Sequence, residues 1–272
     1  MLSLYRTHRH REPQLIDQVA SALSQIPLFA GRSLDGLRVE PLDSLTNRSF
    51  KLTLGEEQFV LRIAGAGTAS YIDRAGEAHN AQLAAAIGIA PTVLYVDPGS
   101  GLMVTRFVPA STPLTATDLR QPETLGRATD LLKRLHESRL SFQGRMELLP
   151  KLDQYIALAA PKSWPEGLDL TSARAAAEAA RPALERAGIP WSPCHIDPVP
   201  HNFVFGGTPQ ALYLLDWEYA AMCEPMWDLA AISIEAELDE AADRFMLSAY
   251  FGVAAPQQTG RFILYKSLLN LM

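Results

Sequence analysis

The hydrophobic periodicity of this chain changes once, between Val108 and Thr112, and that change restricts it to folds that join a small sheet to a body of helices. Ahead of the change, apolar residues alternate along 37–42, 49–54 and 58–63, with Gly55-Glu56-Glu57 as a turn between the last two. They alternate again along 92–96 and 102–108, around Asp97-Pro98-Gly99-Ser100-Gly101. Period-two alternation joined by short polar turns reads as an antiparallel sheet. A helix-favouring stretch at 68–87, stopped by Gly88, separates the third strand from the fourth, and Leu15, Ile16, Val19, Ala20 and Leu23 recur at helical spacing before the first. Behind the change the period is 3.6. Leu125, Ala128, Leu131, Leu132 and Leu135 form one stripe, and an Ala-rich segment at 171–187 follows, in which Pro182 either kinks the helix or begins a fresh turn. The expected class is α+β, with a small antiparallel-sheet lobe over 1–108 and a larger, mainly helical lobe over 109–272. Residues 262–272 form an apolar helical pattern with no stop signal, which leaves room for the natural chain to run further.

A chain of 272 residues, 48% hydrophobic and 20% charged, has the material for a large buried core and lies far from the composition of disorder. A formal net charge of -6 and a pI near 5.5 argue against a nucleic-acid partner while leaving open a local anionic site for a cation. Two cysteines, Cys194 and Cys223, are too few for a secreted disulfide framework and fit a reducing cytoplasm. Residues 1–11 lack the apolar stretch of a secretory signal, and the most apolar windows, 81–90 and 229–234, fall short of the ~20 residues that cross a bilayer. The chain is therefore read as cytoplasmic, without membrane insertion, and as a monomer or homodimer.

Chemistry concentrates in residues 194–219. His195-Ile196-Asp197 is followed by Asn202, five positions after the Asp, which is the spacing of a kinase catalytic loop. Phosphoryl transfer needs a carboxylate beside the incoming hydroxyl and neutral and anionic oxygens for Mg²⁺. Asp197 and Asn202 supply the first two, and Asp216, at the end of the apolar run 212–215, supplies the third. Singly, each residue is equally well a turn or cap residue; together, with Pro198 and Pro200 stiffening the loop, three unrelated caps at this spacing are the weaker reading. His195 is placed with the catalytic group, bracing the loop by hydrogen bonding rather than acting as base. Cys194 beside it is read as a small packed residue, and His8, His10, His79, His136 and His201 show no metal-ligand spacing.

The first lobe should hold the nucleotide. Along 59–63, strand alternation sets Phe59, Leu61 and Ile63 on one face and Val60 with Arg62 on the other, so that Arg62 is available for phosphates, with Glu77 on the following helix to orient it. The turn that contains Thr46, Asn47, Arg48 and Ser49 is rich in groups that could cradle phosphates, although it has no glycine-rich fingerprint. In the second lobe, Asp216 to Asp243 holds nine acidic residues and no Lys or Arg. Helical spacing puts Asp228 and Glu235 on one face, and carboxylates with aromatics such as Trp217, Tyr219 or Trp227 are what a quaternary ammonium favours.

These residues resemble the choline/ethanolamine kinase family, within the group that includes aminoglycoside phosphotransferases and thiamine kinases. The match covers most of the chain: Leu45-Thr46-Asn47, Val60-Leu61-Arg62-Ile63, Ile72-Asp73-Arg74-Ala75-Gly76-Glu77, Cys194-His195-Ile196-Asp197, Asn202-Phe203, Leu215-Asp216-Trp217-Glu218-Tyr219 and Trp227-Asp228-Leu229. The resemblance implies a two-lobed protein-kinase-like fold, ATP with its adenine near 103–108, Mg²⁺ on Asn202 and Asp216, and Asp197 as base. It also implies a small amino alcohol as substrate, its ammonium held by Glu218, Trp217, Tyr219, Asp228 and Glu235. Thiamine, an aminoglycoside, or a nucleotide-binding regulatory role without turnover are the alternatives. Ala236 stands where choline kinases typically carry a Trp.

Overall fold

Five strands, β1 (Arg38–Leu42), β2 (Arg48–Leu54), β3 (Glu57–Ile63), β4 (Val93–Asp97) and β5 (Leu102–Arg106), pair antiparallel in the order β1-β2-β3-β5-β4 in a computed structural model of the chain. The structure describes residues 12–43, 47–65, 67, 72–159, 170–208 and 210–272. They divide into two units, Met1–Ala78 with Pro91–Phe107, and His79–Ala90 with Val108–Met272. In the first unit the turn between β2 and β3 closes at Gly55, whose φ of +61° a side chain would resist. Phe50, Leu52, Phe59, Leu61, Leu102 and Val104 point to one face of the sheet, where they bury against Val19, Ala22 and Leu23 of α1 (Glu12–Ser24) and against Ile26 and Phe29. That first helix ends one residue past Leu23, the last apolar position of its pattern, and Pro27 opens a separate 3₁₀ turn, Pro27–Phe29. The opposite face carries Ser49, Val60, Arg62 and Met103, with Ser49 and Met103 directly across from Arg62. The helix read over 68–87 is observed as α2 (Arg74–Ala86).

The second unit is mainly helical. Among its described residues are α3 (Ala116–Leu119), α4 (Pro122–His136), α5 (Leu148–Ala159), α6 (Leu170–Ala187), α7 (Met226–Glu235), α8 (Glu240–Phe251) and α9 (Pro256–Leu269). The stripe on α4 is buried as its spacing predicts, together with Thr129 and His136. Pro182 lies inside α6 and does not end it; Arg186 Nε donates to the Pro182 carbonyl one turn on. No helix among the described residues is long and apolar enough to cross a membrane.

Two small sheets are built of strands only two to four residues long, which is why all but the strand on the apolar run 212–215 escaped the period-two pattern. One is a sheet of β6 (Thr112–Pro113), β8 (Phe203–Gly206) and β9 (Ala211–Leu214) in the order β6-β8-β9; the other pairs β7 (Ser192–Cys194) with β10 (Ala221–Cys223). They frame the segment where the chemistry was expected: residues 195–202 leave β7 and enter β8, and 215–220 leave β9 and enter β10. In β8, Gly206 permits a close approach, since a Cβ there would lie 2.6 Å from Val108 Cγ1 and 3.0 Å from the Pro109 carbonyl oxygen and from Ser111 Cα. Gly206→Ala is expected to lower unfolding free energy by about 1–3 kcal/mol in urea titrations, the ordinary result of overpacking against backbone. An unchanged midpoint would show that the 109–111 segment yields freely.

Candidate active site

Ile196 sits at φ +73°, a left-handed conformation that a β-branched side chain adopts at a cost of about 1–3 kcal/mol. Its neighbours in α7 explain how it is held. Asp228 Oδ1 accepts the Ile196 N–H at 2.8 Å, Asp228 Oδ2 accepts the His195 N–H at 2.7 Å, and Trp227 Nε1 donates to the Ile196 carbonyl at 2.9 Å. Hydrogen bonds to a charged acceptor contribute about 1.5–3 kcal/mol each, so two of them offset the strain. Asp228 is wholly buried, which a carboxylate tolerates only with donors around it. Besides the two amides it has His136 Nε2 at 3.0 Å and a place in the first turn of α7, where the helix dipole favours negative charge. The reversal at Ile196 delivers Asp197, half-buried, to the start of the loop.

Asn202 closes that loop. Its Nδ2 donates to the Asp197 carbonyl at 3.0 Å, and its own carbonyl accepts the Leu215 N–H at 2.8 Å, so two hydrogen bonds tie the loop of Asp197 to the residue before Asp216. Asp216 follows at φ +62°, a second left-handed residue, of a type that tolerates it better. Its carboxylate and that of Glu218 approach within 4.8 Å. Two carboxylates at that range are hard-oxygen donors of the kind Mg²⁺ takes.

Other expected site residues are placed differently. His195 is wholly buried, its Nε2 2.8 Å from the Leu215 carbonyl and its ring edge-on to Trp217 at 4.8 Å. Burial holds its pKa below the usual value, although Asp228 and Asp197 pull the other way. It bridges the two chemical segments through the Leu215 carbonyl and the Trp217 ring. Trp217, expected to wall an ammonium pocket, is instead interior: Nε1 donates to the Leu214 carbonyl at 3.1 Å and the ring meets Phe142 and His195 edge-on. Asp228 is likewise spent on the loop, whereas Glu235 is exposed at the end of α7, so the two do not form one anionic face. Ala236 is wholly buried in the turn that ends α7. Glu218 is buried beside Asp216, and Tyr219 is exposed. The role of Asp228 was readable only as part of the Trp227-Asp228 pair at the head of an apolar helix; nothing in the spacing of His136 signalled its place beside it.

In the first unit Glu77 is buried and gathers two guanidinium groups. Arg62 Nη1 donates to Glu77 Oε1, and Arg74 Nη1 donates to Oε2 at 2.7 Å. Arg74 Nη2 also reaches Asn47 Oδ1 at 3.2 Å, so Asn47 supports this cluster. Arg48, expected at the nucleotide, instead points to solvent and donates to Gln18 Oε1 at 2.6 Å, while Ser49 shares the face of Arg62. Thr46 lies outside the described residues.

A five-stranded antiparallel unit with an Arg–Glu pair, followed by a helical unit with this loop and metal-type donors, defines a kinase-like phosphotransferase. Residues 38–260 match the phosphotransferase enzyme family, APH, and the chain belongs to that family, on its choline/ethanolamine kinase branch. Two sequences of protein LicA from Haemophilus influenzae are each 30% identical to it, one over 206 residues covering 76% of both chains and one over 209 residues covering 77% of this chain and 61% of the relative. A choline/ethanolamine kinase family protein from Mesorhizobium loti superposes with a TM-score of 0.82 at 33% identity, over 94% of this chain and 83% of that one. The choline kinase LicA from Streptococcus pneumoniae gives 0.76 at 25% identity, over 96% and 88%, and a LicA complex with AMP gives 0.72 at 26%, over 95% and 86%.

Burial alone would raise the Glu77 pKa, but Arg62 and Arg74 more than offset it and hold the carboxyl below its ordinary 4.5. A depressed carboxyl contributes stability that is present above its unfolded pKa and lost as pH falls through the folded one. Glu77→Gln should therefore cost about 3 kcal/mol at pH 7. The gap from the parent, read by urea unfolding, should shrink as pH drops below about 4.5. A gap that is constant down to about pH 3 would mean that the charge of Glu77 contributes nothing.

Proposed function

We propose that the chain transfers the γ-phosphoryl group of ATP to the hydroxyl of a small cationic alcohol, choline or ethanolamine, in the cytoplasm. The observation that carries this reading is the hydrogen-bonded sequence from Asp197 through Asn202 to the residue before Asp216. It ties a half-buried carboxylate to a set of hard-oxygen donors. In this reading the Asp197 carboxylate takes the proton of the substrate hydroxyl as the oxygen attacks the γ-phosphorus, and the bond to the departing ADP oxygen breaks in line. Arg62, fixed by Glu77, anchors nucleotide phosphates, with Ser49 beside it on the same sheet face. Asn202 and Asp216, with Glu218 close by, would hold Mg²⁺, which when bound neutralises phosphate charge. His195 and Trp217 keep the loop and the Asp216 segment in register. Of the residues expected around the ammonium group, Glu218 and Tyr219 remain adjacent to this chemistry in sequence and carry the carboxylate and aromatic character that such a group favours.

The similarity to the choline kinase LicA and to a choline/ethanolamine kinase family protein supports this substrate class, and the AMP complex of LicA supports a nucleotide co-substrate. The test is ADP release with Mg²⁺ and ATP over choline, ethanolamine, thiamine and kanamycin. Turnover of choline or ethanolamine is expected, and Asp197→Asn should lower kcat about 10²–10⁴-fold. Turnover of thiamine or kanamycin alone would overturn the substrate but not the transfer; ADP release with none of the four, or an active Asp197→Asn, would overturn the mechanism.

A further inference from the structure

Beneath the loop, one buried line of polar groups is not required by any step above. It crosses three helices: Tyr250 of α8, His136 of α4 and Asp228 of α7. The Tyr250 hydroxyl is 2.8 Å from His136 Nδ1, and His136 Nε2 is 3.0 Å from Asp228 Oδ2, the oxygen that also accepts the His195 amide. His136 and Asp228 side chains are 1% and 0% exposed, so solvent cannot replace either partner.

The donor inventory gives this line a direction. A carboxylate only accepts, so Asp228 takes a hydrogen from His136 Nε2 as it takes those of the two backbone amides. With its Nε2 hydrogen given to Asp228, the ring turns Nδ1 to the Tyr250 hydroxyl. Burial, reinforced by nearby negative charge, keeps that hydroxyl protonated, with its pKa well above the usual value. Every contact thus has one donor and one acceptor, from Tyr250 to His136 to Asp228 to the loop. Removing the first donor leaves His136 Nδ1 unsatisfied in the interior and loosens the orientation of the ring that fixes Asp228.

We propose that Tyr250 and His136 are positioning residues for phosphoryl transfer: they hold the Asp228 carboxylate at the angle that keeps Ile196 reversed and Asp197 aimed. The inference rests on the proposed kinase reading for its consequence in catalysis, but its structural half does not.

Tyr250→Phe keeps the ring and removes only the donor. Two readouts decide the matter on the full chain. In the first, amide hydrogen exchange at His195 and Ile196 is expected to speed up about tenfold relative to amides of α9, as for loss of one hydrogen bond to a charged network. In the second, with whichever alcohol the wild type turns over, kcat is expected to fall about tenfold while KM for ATP and for the alcohol stays within about twofold. His136→Gln, which still presents an amide donor, should recover at least part of the kcat lost in His136→Leu. Unchanged exchange in Tyr250→Phe, or a kcat equal to wild type, would overturn the proposal, as would equal loss in the Gln and Leu variants. A wild type without turnover would sink the kinase reading and leave the exchange result to decide the positioning role.

Discussion

Everything assigned to the second unit depends on one buried carboxylate. Asp228 accepts two consecutive backbone amides, and through them it sustains a left-handed isoleucine that the chain would otherwise refuse. The energetic balance is close. Strain of about 1–3 kcal/mol at Ile196 is met by two charge-assisted hydrogen bonds of similar size, and the desolvation of the carboxylate is offset by His136 and the head of α7. The arrangement therefore persists because its parts require one another, as strained residues at chemical sites generally do. Asn202 extends the same order to the Asp216 segment, and His195 with Trp217 locks the two segments together from below.

The acidic stretch after Asp216 shows how composition can suggest more than geometry delivers. No Lys or Arg occurs between Asp216 and Asp243, but cations arrive from elsewhere in the chain. Arg261 and Tyr265 of α9 both donate to Glu224, Lys266 of α9 meets Asp243 at 2.6 Å, Arg120 meets Glu237 at 3.3 Å and Arg244 pairs with Glu240. Asp239 caps α8 by accepting the Ala242 N–H. Most of these carboxylates therefore fasten helices.

The strands of the first unit and the buried stripe of α4 were legible because each presents several turns or pleats of one period. The loop from Asp197 to Asn202 was legible because its ends lie only five residues apart and are joined by a hydrogen bond. The short strands β7, β8 and β10 offered no period to read. Asp228 and Trp217 were assigned to a substrate pocket because burial is decided by long-range packing, which helical spacing cannot report. His136 looked like one of several scattered histidines, since its partners stand 92 and 114 residues away in the chain.

The most direct test of the central claim, that Asp228 sets the geometry for transfer, is a single-turnover measurement of γ-phosphoryl transfer by Asp228→Asn at saturating ATP and alcohol. An amide there turns an NH₂ toward one of the two backbone donors that the carboxylate accepts, so the loop loses one of its two anchors while Asp197 itself is intact. The expected result is a transfer rate lower by about 10²-fold, the scale of an ångström-level misplacement, with ATP affinity unchanged. A transfer rate equal to that of the parent chain would contradict it.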